Sequence, residues 1–147
     1  MMFGTVETDE EIIEHWDLIR KLQDETGGFR AFIMWSFQGE NTELAKEIPD
    51  IKPQSSNRYL RLLAVSRLYL DNFRNLQSSW VTQGSYIGQM ALKFGANDLG
   101  STMMEENVVK AAGAANRMNQ DEMIRLIKDI DEFPAKRDTA YNIIERF

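Results

Sequence analysis

The sequence feature that most constrains the fold is the apolar run at residues 29–37, FRAFIMWSF. Its length and aromatic content are typical of a strand buried on both faces, as parallel strands covered by helices are. The next five residues, QGENT, are all polar or glycine. Ligands of parallel α/β folds bind beyond the carboxyl ends of the strands, so this polar cluster is a candidate functional site. A solvated loop is the alternative interpretation.

Composition and charge exclude several classes of function. The chain has 147 residues, which suits one domain with a substantial core, and a formal net charge of −6. The negative charge argues against non-specific binding to nucleic acids or anionic membranes, because both need a basic surface. The sequence contains no apolar run long enough to span a membrane, and its first residues do not resemble a signal peptide. We therefore expect a cytoplasmic protein.

Cysteine is absent from the chain, and histidine occurs once, at His15. The absence of cysteine excludes disulfides, a thiol nucleophile, and zinc or iron–sulfur sites with cysteine ligands within this chain. His15 lies in a predicted helix, where a surface or packing role is favoured over a catalytic one. No metal site is predicted, although the carboxylates of Glu7, Asp98, Glu105 and Glu106 leave magnesium binding open.

Short strands alternate with helices along the chain. The predicted strands lie at residues 1–3, 29–37, 75–81 and 97–102, and the predicted helices at 9–25, 58–73, 86–94 and 105–115. A capping box at Thr8 and Glu11 marks the start of the first helix, and a second box at residues 119–122 starts a further helix. In the second helix, the expected buried stripe includes Val65 and Leu68.

This alternation predicts an α/β fold of parallel strands joined by right-handed crossovers. About four βα units make the carboxyl-terminal half of a (β/α)8 TIM-type barrel, which needs ~250 residues to close. We expect residues 1–147 to form one domain, a partial barrel with a carboxyl-terminal helical extension. Such a half-barrel would leave two bare sheet edges. The expected partners are therefore a missing amino-terminal half-barrel or another copy of the chain.

Five segments, in order, resemble the carboxyl-terminal half of radical S-adenosylmethionine enzymes. They are MMFGTVET, GGFRAFIMWSFQGENT, NLQSSWVTQG, FGANDLGSTMMEENVVKAAGA and PAKRDTAY. The resemblance is to the group that contains dehypoxanthine futalosine cyclases of menaquinone biosynthesis, aminofutalosine synthases and synthases of a deazaflavin precursor. It implies cyclisation of dehypoxanthine futalosine, a nucleoside-like small molecule. A sister radical reaction and a non-catalytic half-barrel for binding or assembly are the alternatives.

The resemblance implies two cofactors in the full-length protein, S-adenosylmethionine and a 4Fe–4S cluster. The family holds the cluster with a Cys-x-x-x-Cys-x-x-Cys loop near its amino terminus, and this chain has no such loop, so we expect the chain alone to be inactive. Met2, Gly4 and Glu7 match the last positions of a family pattern, G-x-I-x-G-x-x-E, whose backbone meets the adenine. A tight turn at Gly4 is the alternative. Trp80 is expected either to wall the cofactor or to be a core residue.

The resemblance also suggests which residues contact the substrate. The expected substrate-binding residues are Gln38, Asn41, Thr42, Gln77, Ser79 and Asn97, and the expected catalytic residues are Asp98 and Glu105. Their amide, hydroxyl and carboxylate groups suit a ribose and its substituents. In this family the position of Gly39 is usually proline, so the loop after the second strand departs from the pattern. The segment that contains Arg137 and Tyr141 matches the family's carboxyl-terminal signature and is expected to be a structural clasp.

Overall fold

The structure is a computed structural model that describes residues 1–48, 51–102 and 116–147. The strands are β1 (Met2–Phe3), β2 (Phe32–Ile33), β3 (Trp35–Ser36), β4 (Leu76–Gln77), β5 (Ala135–Arg137) and β6 (Ile143–Arg146). The helices are α1 (Asp9–Thr26), α2 (Glu43–Glu47), α3 (Ser56–Tyr69), α4 (Trp80–Gln83), α5 (Ser85–Ala91) and α6 (Gln120–Lys128). The predicted helix at residues 105–115 lies outside the described residues.

The parallel strands lie side by side in chain order. β1 pairs with β3, β2 pairs with β4, and Asp98 forms a single parallel bridge to Gln77. Because β2 and β3 are consecutive pieces of one extended segment, these pairings join all four predicted strand regions. The prediction of parallel α/β structure is therefore confirmed. The strand predicted at residues 97–102 is reduced to the bridge at Asp98.

The segment at residues 29–37 is not buried on both faces, so that prediction is wrong. Phe32 and Met34 are buried in a core with residues of α1, α3 and α5, whereas Trp35 is 47% exposed. On β1, Phe3 is buried and Met2 is 59% exposed. Alternate residues of a strand point to opposite faces. Helices therefore cover one face of the parallel strands, and the other face, called here the inner face, is partly open.

Helix α1 begins and ends as its sequence predicts. The Thr8 hydroxyl accepts a hydrogen bond from the Glu11 amide, and the Glu11 carboxylate accepts one from the Thr8 amide. These bonds satisfy amide groups that the first turn leaves without partners. At the other end, Gly27 adopts a φ of 58°, and its amide bonds to the Gln23 carbonyl. Trp16 and Ile12 form the buried side of the helix.

Helix α3 buries only part of the predicted stripe, since Leu63 is buried and Leu62 packs against the core, but Val65 and Leu68 do not. Tyr59, Leu63 and Ser66 are buried, whereas Val65 is 49% exposed and Leu68 is 82% exposed. The helix contains apolar residues on more than one side, so its apolar pattern alone did not determine which side faces the sheet. The buried side is set by the contact of Tyr59 and Leu63 with the core that also holds the strand residues.

The carboxyl-terminal extension is helical only in part. After α6, β5 and β6 form an antiparallel hairpin, which the prediction of a helical extension missed. The hairpin lies toward the amino-terminal ends of the parallel strands, because Arg30, just before β2, donates to the Thr139 carbonyl at 3.3 Å. None of the helices in the described part of the chain is both long and apolar enough to cross a membrane.

Candidate functional site

A cavity of about 570 Å³ lies at the carboxyl ends of β3 and β4. Its wall includes the end of β3, the loop that follows it, the segment before α3 and the end of α4. The polar residues that line it are Ser36, Gln38, Glu40, Lys52, Gln54, Ser56, Thr82 and Gln83. Apolar side chains of Phe37, Ala45, Ile51 and Pro53 complete the lining. The cavity therefore has a mixed lining, and it lies at the sheet end where parallel α/β folds bind ligands.

Three side chains converge at one corner of this cavity. The Gln38 amide nitrogen lies 3.1 Å from the Ser36 hydroxyl oxygen and 3.1 Å from the Ser36 carbonyl oxygen. The Gln83 amide nitrogen lies 2.6 Å from the same hydroxyl. Gln38 was predicted as a substrate contact, whereas Ser36 and Gln83 were not. We call Ser36, Gln38 and Gln83 the amide–hydroxyl cluster.

The turn after β1 is built around the Glu7 carboxylate. This carboxylate accepts hydrogen bonds from the Gly4 amide and from the amide and hydroxyl of Thr5, the last two at 2.9 and 2.7 Å. Partial burial alone would raise the pKa of Glu7, but these hydrogen bonds outweigh it and hold the pKa below its usual range. The predicted cofactor residues Gly4 and Glu7 thus form one ordered turn.

Gly4 is closely approached by the side chain of Gln54. Gly4 has a φ of 91°, and a Cβ built on it would clash with the Gln54 Cγ. A glycine is therefore needed here both for the backbone conformation and for the close approach of a neighbouring group. Because Gln54 also lines the cavity, it links the turn at Gly4 with the cavity.

The loop after Gln38 has visible structural roles. Asn41 adopts a φ of 62°, a left-handed conformation that asparagine tolerates better than most residues. The Thr42 hydroxyl donates to the Gly39 carbonyl at 2.9 Å and accepts from the Ala45 amide as the N-cap of α2. These contacts shape the loop that borders the cavity. The substrate contacts of Asn41 and Thr42 stay predictions.

Gln77 and Asp98 lie in a different environment from Gln38. Arg137 of β5 donates to the Asp98 carboxylate at 3.0 and 2.5 Å and to the Gln77 side-chain oxygen at 3.4 Å. The Arg137 guanidinium lies 3.9 Å from the centre of the Tyr141 ring. Burial and the negative charge of Asp98 raise the pKa of Tyr141 to about 12. The structure thus shows Arg137 and Tyr141 as the clasp that the sequence predicted.

Asp98, Arg137 and Tyr141 line a second cavity, of about 740 Å³, beside the carboxyl-terminal hairpin. Asn97, Asp98 and Arg137 belong to it, and it shares no lining residue with the cavity at the carboxyl ends. The structure therefore does not bring the predicted catalytic Asp98 together with Gln38 in one cavity. The other predicted catalytic residue, Glu105, lies outside the described residues.

The remaining predicted residues make contacts that stabilise the fold. The Ser79 amide donates to the buried Tyr59 hydroxyl at 2.9 Å, and the Ser79 hydroxyl lies 2.7 Å from that of Thr82. The Asn97 side chain accepts from the Leu76 amide at 2.8 Å. Trp80 is 1% exposed and packs with Leu99, Met118, Met123 and Leu126, in line with the core alternative.

Metal coordination finds no support in the described residues. Within residues 1–48, 51–102 and 116–147, no three His, Asp or Glu side chains are placed so that they could hold a metal ion. The carboxylates of Glu7 and Asp98 are engaged instead by backbone amides and by Arg137, respectively.

The sequence contained a partial signal for the two residues that the prediction missed. Ser36 is one of the few polar residues in the run at 29–37, and Gln83 follows the third predicted strand in the polar sequence Thr82-Gln83-Gly84. Polar residues at adjacent strand ends are candidates for a shared site. The contact between them spans 47 positions, so only the paired strands reveal it.

Parallel strands in chain order, helices on one face and a cavity with several polar side chains at the carboxyl ends define an α/β protein with a candidate ligand-binding site. A family model described as the CofH/MqnC C-terminal region matches residues 26–146. Because this match covers most of the chain, the chain belongs to that family. The radical S-adenosylmethionine group that the sequence resembles is thus supported at the level of the family.

Curated relatives match nearly the whole chain. The chain is 46% identical over 147 residues to a cyclic dehypoxanthine futalosine synthase of Halalkalibacterium halodurans and 48% identical over 141 residues to one of Streptomyces coelicolor. These alignments cover 100% and 96% of this chain, but only 39% and 34% of the relatives. A 5-amino-6-(D-ribitylamino)uracil--L-tyrosine 4-hydroxyphenyl transferase of Archaeoglobus fulgidus is 41% identical, over 99% of this chain and 42% of its own length. The chain therefore spans about two fifths of the length of these relatives.

Proposed function

We propose that the chain is the carboxyl-terminal part of a radical S-adenosylmethionine enzyme that cyclises dehypoxanthine futalosine in menaquinone biosynthesis. The observation that carries this proposal is the 46% and 48% identity to cyclic dehypoxanthine futalosine synthases over nearly the whole chain. The identity to the transferase of Archaeoglobus fulgidus is lower, at 41%. The similarity includes every segment that lines the cavity at the carboxyl ends.

The strand order supports the finer proposal that the chain forms half of a TIM-type barrel. In a doubly wound sheet the strand order reverses and helices cover both faces, whereas in a barrel the strands follow one another and helices lie only outside. Here the strands follow chain order, and the exposed Met2 and Trp35 lie on the face without helices. The proposed partner is an amino-terminal half-barrel, or a second copy of the chain, that would cover this inner face.

The residues of this chain do not fit the 4Fe–4S cluster of the proposed enzyme. The cluster needs cysteine ligands, and the chain contains none. In the proposed enzyme the cluster would therefore be held by residues other than those of this chain.

The turn at Gly4 does fit the nucleoside part of S-adenosylmethionine. A glycine lets a neighbouring group approach the backbone closely, as the Gln54 side chain does at Gly4. Met2, Gly4 and Glu7 would hold the cofactor, with Glu7 keeping the turn in shape through its hydrogen bonds. When bound, the cofactor supplies the radical chemistry that side chains cannot.

The tasks proposed for this chain are binding and orientation of the substrate. Gln38 is placed to bind substrate hydroxyls at the carboxyl end of β3, and the loop with Asn41 and Thr42 borders the same cavity. Gln77 and Asp98 are held on the inner face by Arg137, where they would contact a substrate inside a closed barrel. Fixed contacts of this kind favour a reactive geometry and exclude water.

The test is a turnover assay of the protein as encoded, with any in-frame residues that precede Met1. The protein is reconstituted anaerobically with iron and sulfide and incubated with S-adenosylmethionine and dehypoxanthine futalosine. We expect cofactor cleavage and a cyclised product by mass spectrometry. Cleavage without this product would favour a sister reaction, and a protein that binds no cluster would contradict the radical enzyme and leave a binding module.

A matched pair of variants connects the assay with the cavity. We expect Gln38→Ala to raise the KM for dehypoxanthine futalosine by about tenfold, because one or two hydrogen bonds to the substrate are lost. Gln89→Ala is the control, since Gln89 lies on α5 and its amide donates to the Leu126 carbonyl, away from the cavity. Equal KM values for both variants would show that Gln38 does not contact the substrate.

A further inference from the structure

The amide–hydroxyl cluster has a donor that no described residue satisfies. The Ser36 side chain is 3% exposed, and its hydroxyl oxygen is within hydrogen-bonding distance of both Gln38 and Gln83. Buried polar groups normally have hydrogen-bond partners, so it matters which group donates in each contact. All three residues line the cavity at the carboxyl ends.

The orientation of the Gln38 amide is fixed by its neighbours. Its nitrogen faces the carbonyl oxygens of Ser36 and Phe37, at 3.1 and 3.4 Å, and carbonyl oxygens only accept. The nitrogen must therefore be the donor, and it also donates to the Ser36 hydroxyl oxygen. The Gln38 side-chain oxygen consequently remains an acceptor, and it has no partner among the residues that the structure describes.

The contact between Ser36 and Gln83 leaves a donor in either orientation of the Gln83 amide. If the Gln83 nitrogen donates to Ser36, the proton of the serine hydroxyl remains available. If the serine hydroxyl donates to the Gln83 oxygen, which the 2.6 Å distance also suits, the Gln83 amide nitrogen keeps both of its protons. The cluster therefore presents at least one donor and one acceptor at the same corner of the cavity.

A neutral pair of adjacent hydroxyl groups complements this corner. Each hydroxyl can both accept and donate a hydrogen bond, so one can accept from the Ser36–Gln83 pair while its neighbour donates to the Gln38 oxygen. A phosphate or carboxylate offers only acceptors and would leave the Gln38 oxygen unsatisfied. Glu40 and Lys52 also line the cavity and carry opposite charges, so its wall does not select strongly for an ionic ligand.

We propose that Ser36 and Gln83 form, with Gln38, a subsite that binds the vicinal diol of a furanose ring. This inference deepens the proposed function and rests on it, since the ligand is nucleoside-like. Two sources of the diol share this chemistry: the ribose of S-adenosylmethionine and the sugar of dehypoxanthine futalosine. Ser36 and Gln83 are then ligand-contacting residues, one from the end of β3 and the other from the end of α4.

The first experiment needs no variant. Adenosine and 2′,3′-dideoxyadenosine are titrated calorimetrically into the protein as encoded, with any in-frame residues before Met1. We expect adenosine to bind about tenfold more tightly, because the dideoxy compound leaves the donor and the acceptor of the cluster unpaired. Equal affinity for the two compounds, or no binding of either, would contradict a diol subsite for the cofactor ribose. The sugar of dehypoxanthine futalosine would then be the only remaining source of the diol.

The second experiment assigns the residues and the source of the diol. Gln83→Met keeps the size of the side chain but removes its amide, and Ser36→Ala removes the hydroxyl. The dissociation constants of S-adenosylmethionine and of dehypoxanthine futalosine are measured separately for each variant. A weakening of about three- to tenfold confined to one of the two ligands identifies the source of the diol. Gln89→Met, on α5, is the matched control and should leave both constants unchanged.

The outcomes separate this inference from the proposed function. If the folded variants bind both ligands as tightly as the unmodified protein does, the subsite is wrong, even when cyclised product forms. If binding depends on the diol and on Ser36 or Gln83 but no cyclised product forms, the subsite stands and the proposed reaction fails. Circular dichroism establishes which variants fold; should one fail to fold, the other and the adenosine comparison decide.

Discussion

At the scale of single residues, hydrogen bonds between side chains and backbone amides fix the segments that follow the strands. Glu7 holds the turn at Gly4 by three hydrogen bonds, and Tyr59 reaches from α3 to the backbone at Ser79. Both contacts join a side chain to amide groups that would otherwise have no partner in the fold. Removing either side-chain group therefore costs more than the bond itself, since a backbone donor is left unsatisfied.

We predict that Glu7→Gln makes the free energy of unfolding vary less with pH in the acidic range. Because the pKa of Glu7 in the folded protein lies below the usual value of 4.5, its ionised form stabilises the fold. This contribution is complete above the unfolded pKa and is lost as the pH falls through the folded pKa. The free energy of unfolding should therefore differ most between variant and parent near neutral pH, and the two should converge as the pH falls below the folded pKa of Glu7. Urea unfolding at several pH values measures this, and Glu14→Gln, exposed on α1, is the control.

We predict that Tyr59→Phe destabilises the protein by about 1–3 kcal/mol. The Tyr59 side chain is fully buried, and its hydroxyl accepts from the Ser79 amide at 2.9 Å. Phenylalanine keeps the packing of the ring but leaves this amide without an acceptor. Urea unfolding gives the free energy, with Tyr86→Phe as the control because Tyr86 is 75% exposed. A Tyr59 variant as stable as the control would show that water satisfies the Ser79 amide.

At the scale of helices and strands, the sequence predicted those features that depend on contacts between residues close together in the chain. The capping box at Thr8 and Glu11 marks the start of α1, and Gly27 marks its end, because these signals act within a few residues. The short helix α2 was missed, since its N-cap Thr42 was interpreted as a substrate contact. The buried side of α3 was predicted only in part and the hairpin of β5 and β6 was missed, because contacts distant in sequence determine both.

The residues of the candidate site were likewise predicted only where neighbouring residues in the sequence carry the signal. Gln38 was predicted because a polar residue directly follows an apolar strand. Ser36 and Gln83 were missed because their contact depends on how the end of β3 meets the end of α4. Asp98 was predicted as catalytic from the resemblance, and its bonds to Arg137 depend on the position of a hairpin that the sequence pattern did not reveal.

We predict that Gly88→Ala destabilises the packing of α4 on α5. A Cβ at Gly88 would lie 2.5 Å from the Trp80 Cβ and 3.2 Å from the Trp80 Cα. The two helices would have to separate, and such overpacking costs about 1–3 kcal/mol. Thermal unfolding measures the loss. Gly28→Ala is the control, since a Cβ there would meet only the side chain of Thr26 in an exposed loop. Equal unfolding temperatures would contradict the close packing of the two helices.

At the scale of the whole molecule, the hairpin of β5 and β6 is fastened to the parallel strands by one ion pair. Arg137 and Asp98 are 39 positions apart in sequence, and their side chains are only 22% and 10% exposed. The other ion pairs of the described residues are more exposed to solvent. In the pair that Arg125 of α6 forms with Asp129, for example, the side chains are 58% and 49% exposed. Solvent screens such exposed pairs, so the pair of Arg137 and Asp98 should dominate the attachment of the hairpin.

We predict that Arg137→Met destabilises the protein by about 2–3 kcal/mol, because it leaves the nearly buried Asp98 carboxylate without its partner. Arg125→Met, which breaks the exposed pair, should cost less than about 0.5 kcal/mol. Hydrogen exchange should show the loss of protection first in the hairpin. An equal, small effect of both substitutions on urea unfolding would show that the hairpin is held by packing and not by this ion pair.

The same ion pair also gives a spectroscopic test of how the hairpin docks. Burial and the charge of Asp98 raise the pKa of Tyr141 to about 12, while the nearby Arg137 acts in the opposite direction. Asp98→Asn should therefore lower the pKa of Tyr141 toward its usual value of 10.0, and Arg137→Met should raise it further. The absorbance of the phenolate reports this titration, with Tyr141→Phe identifying its signal. Opposite shifts in the two variants would show that the hairpin docks with Tyr141 beside Asp98, whereas unchanged titration would place the hairpin elsewhere in solution.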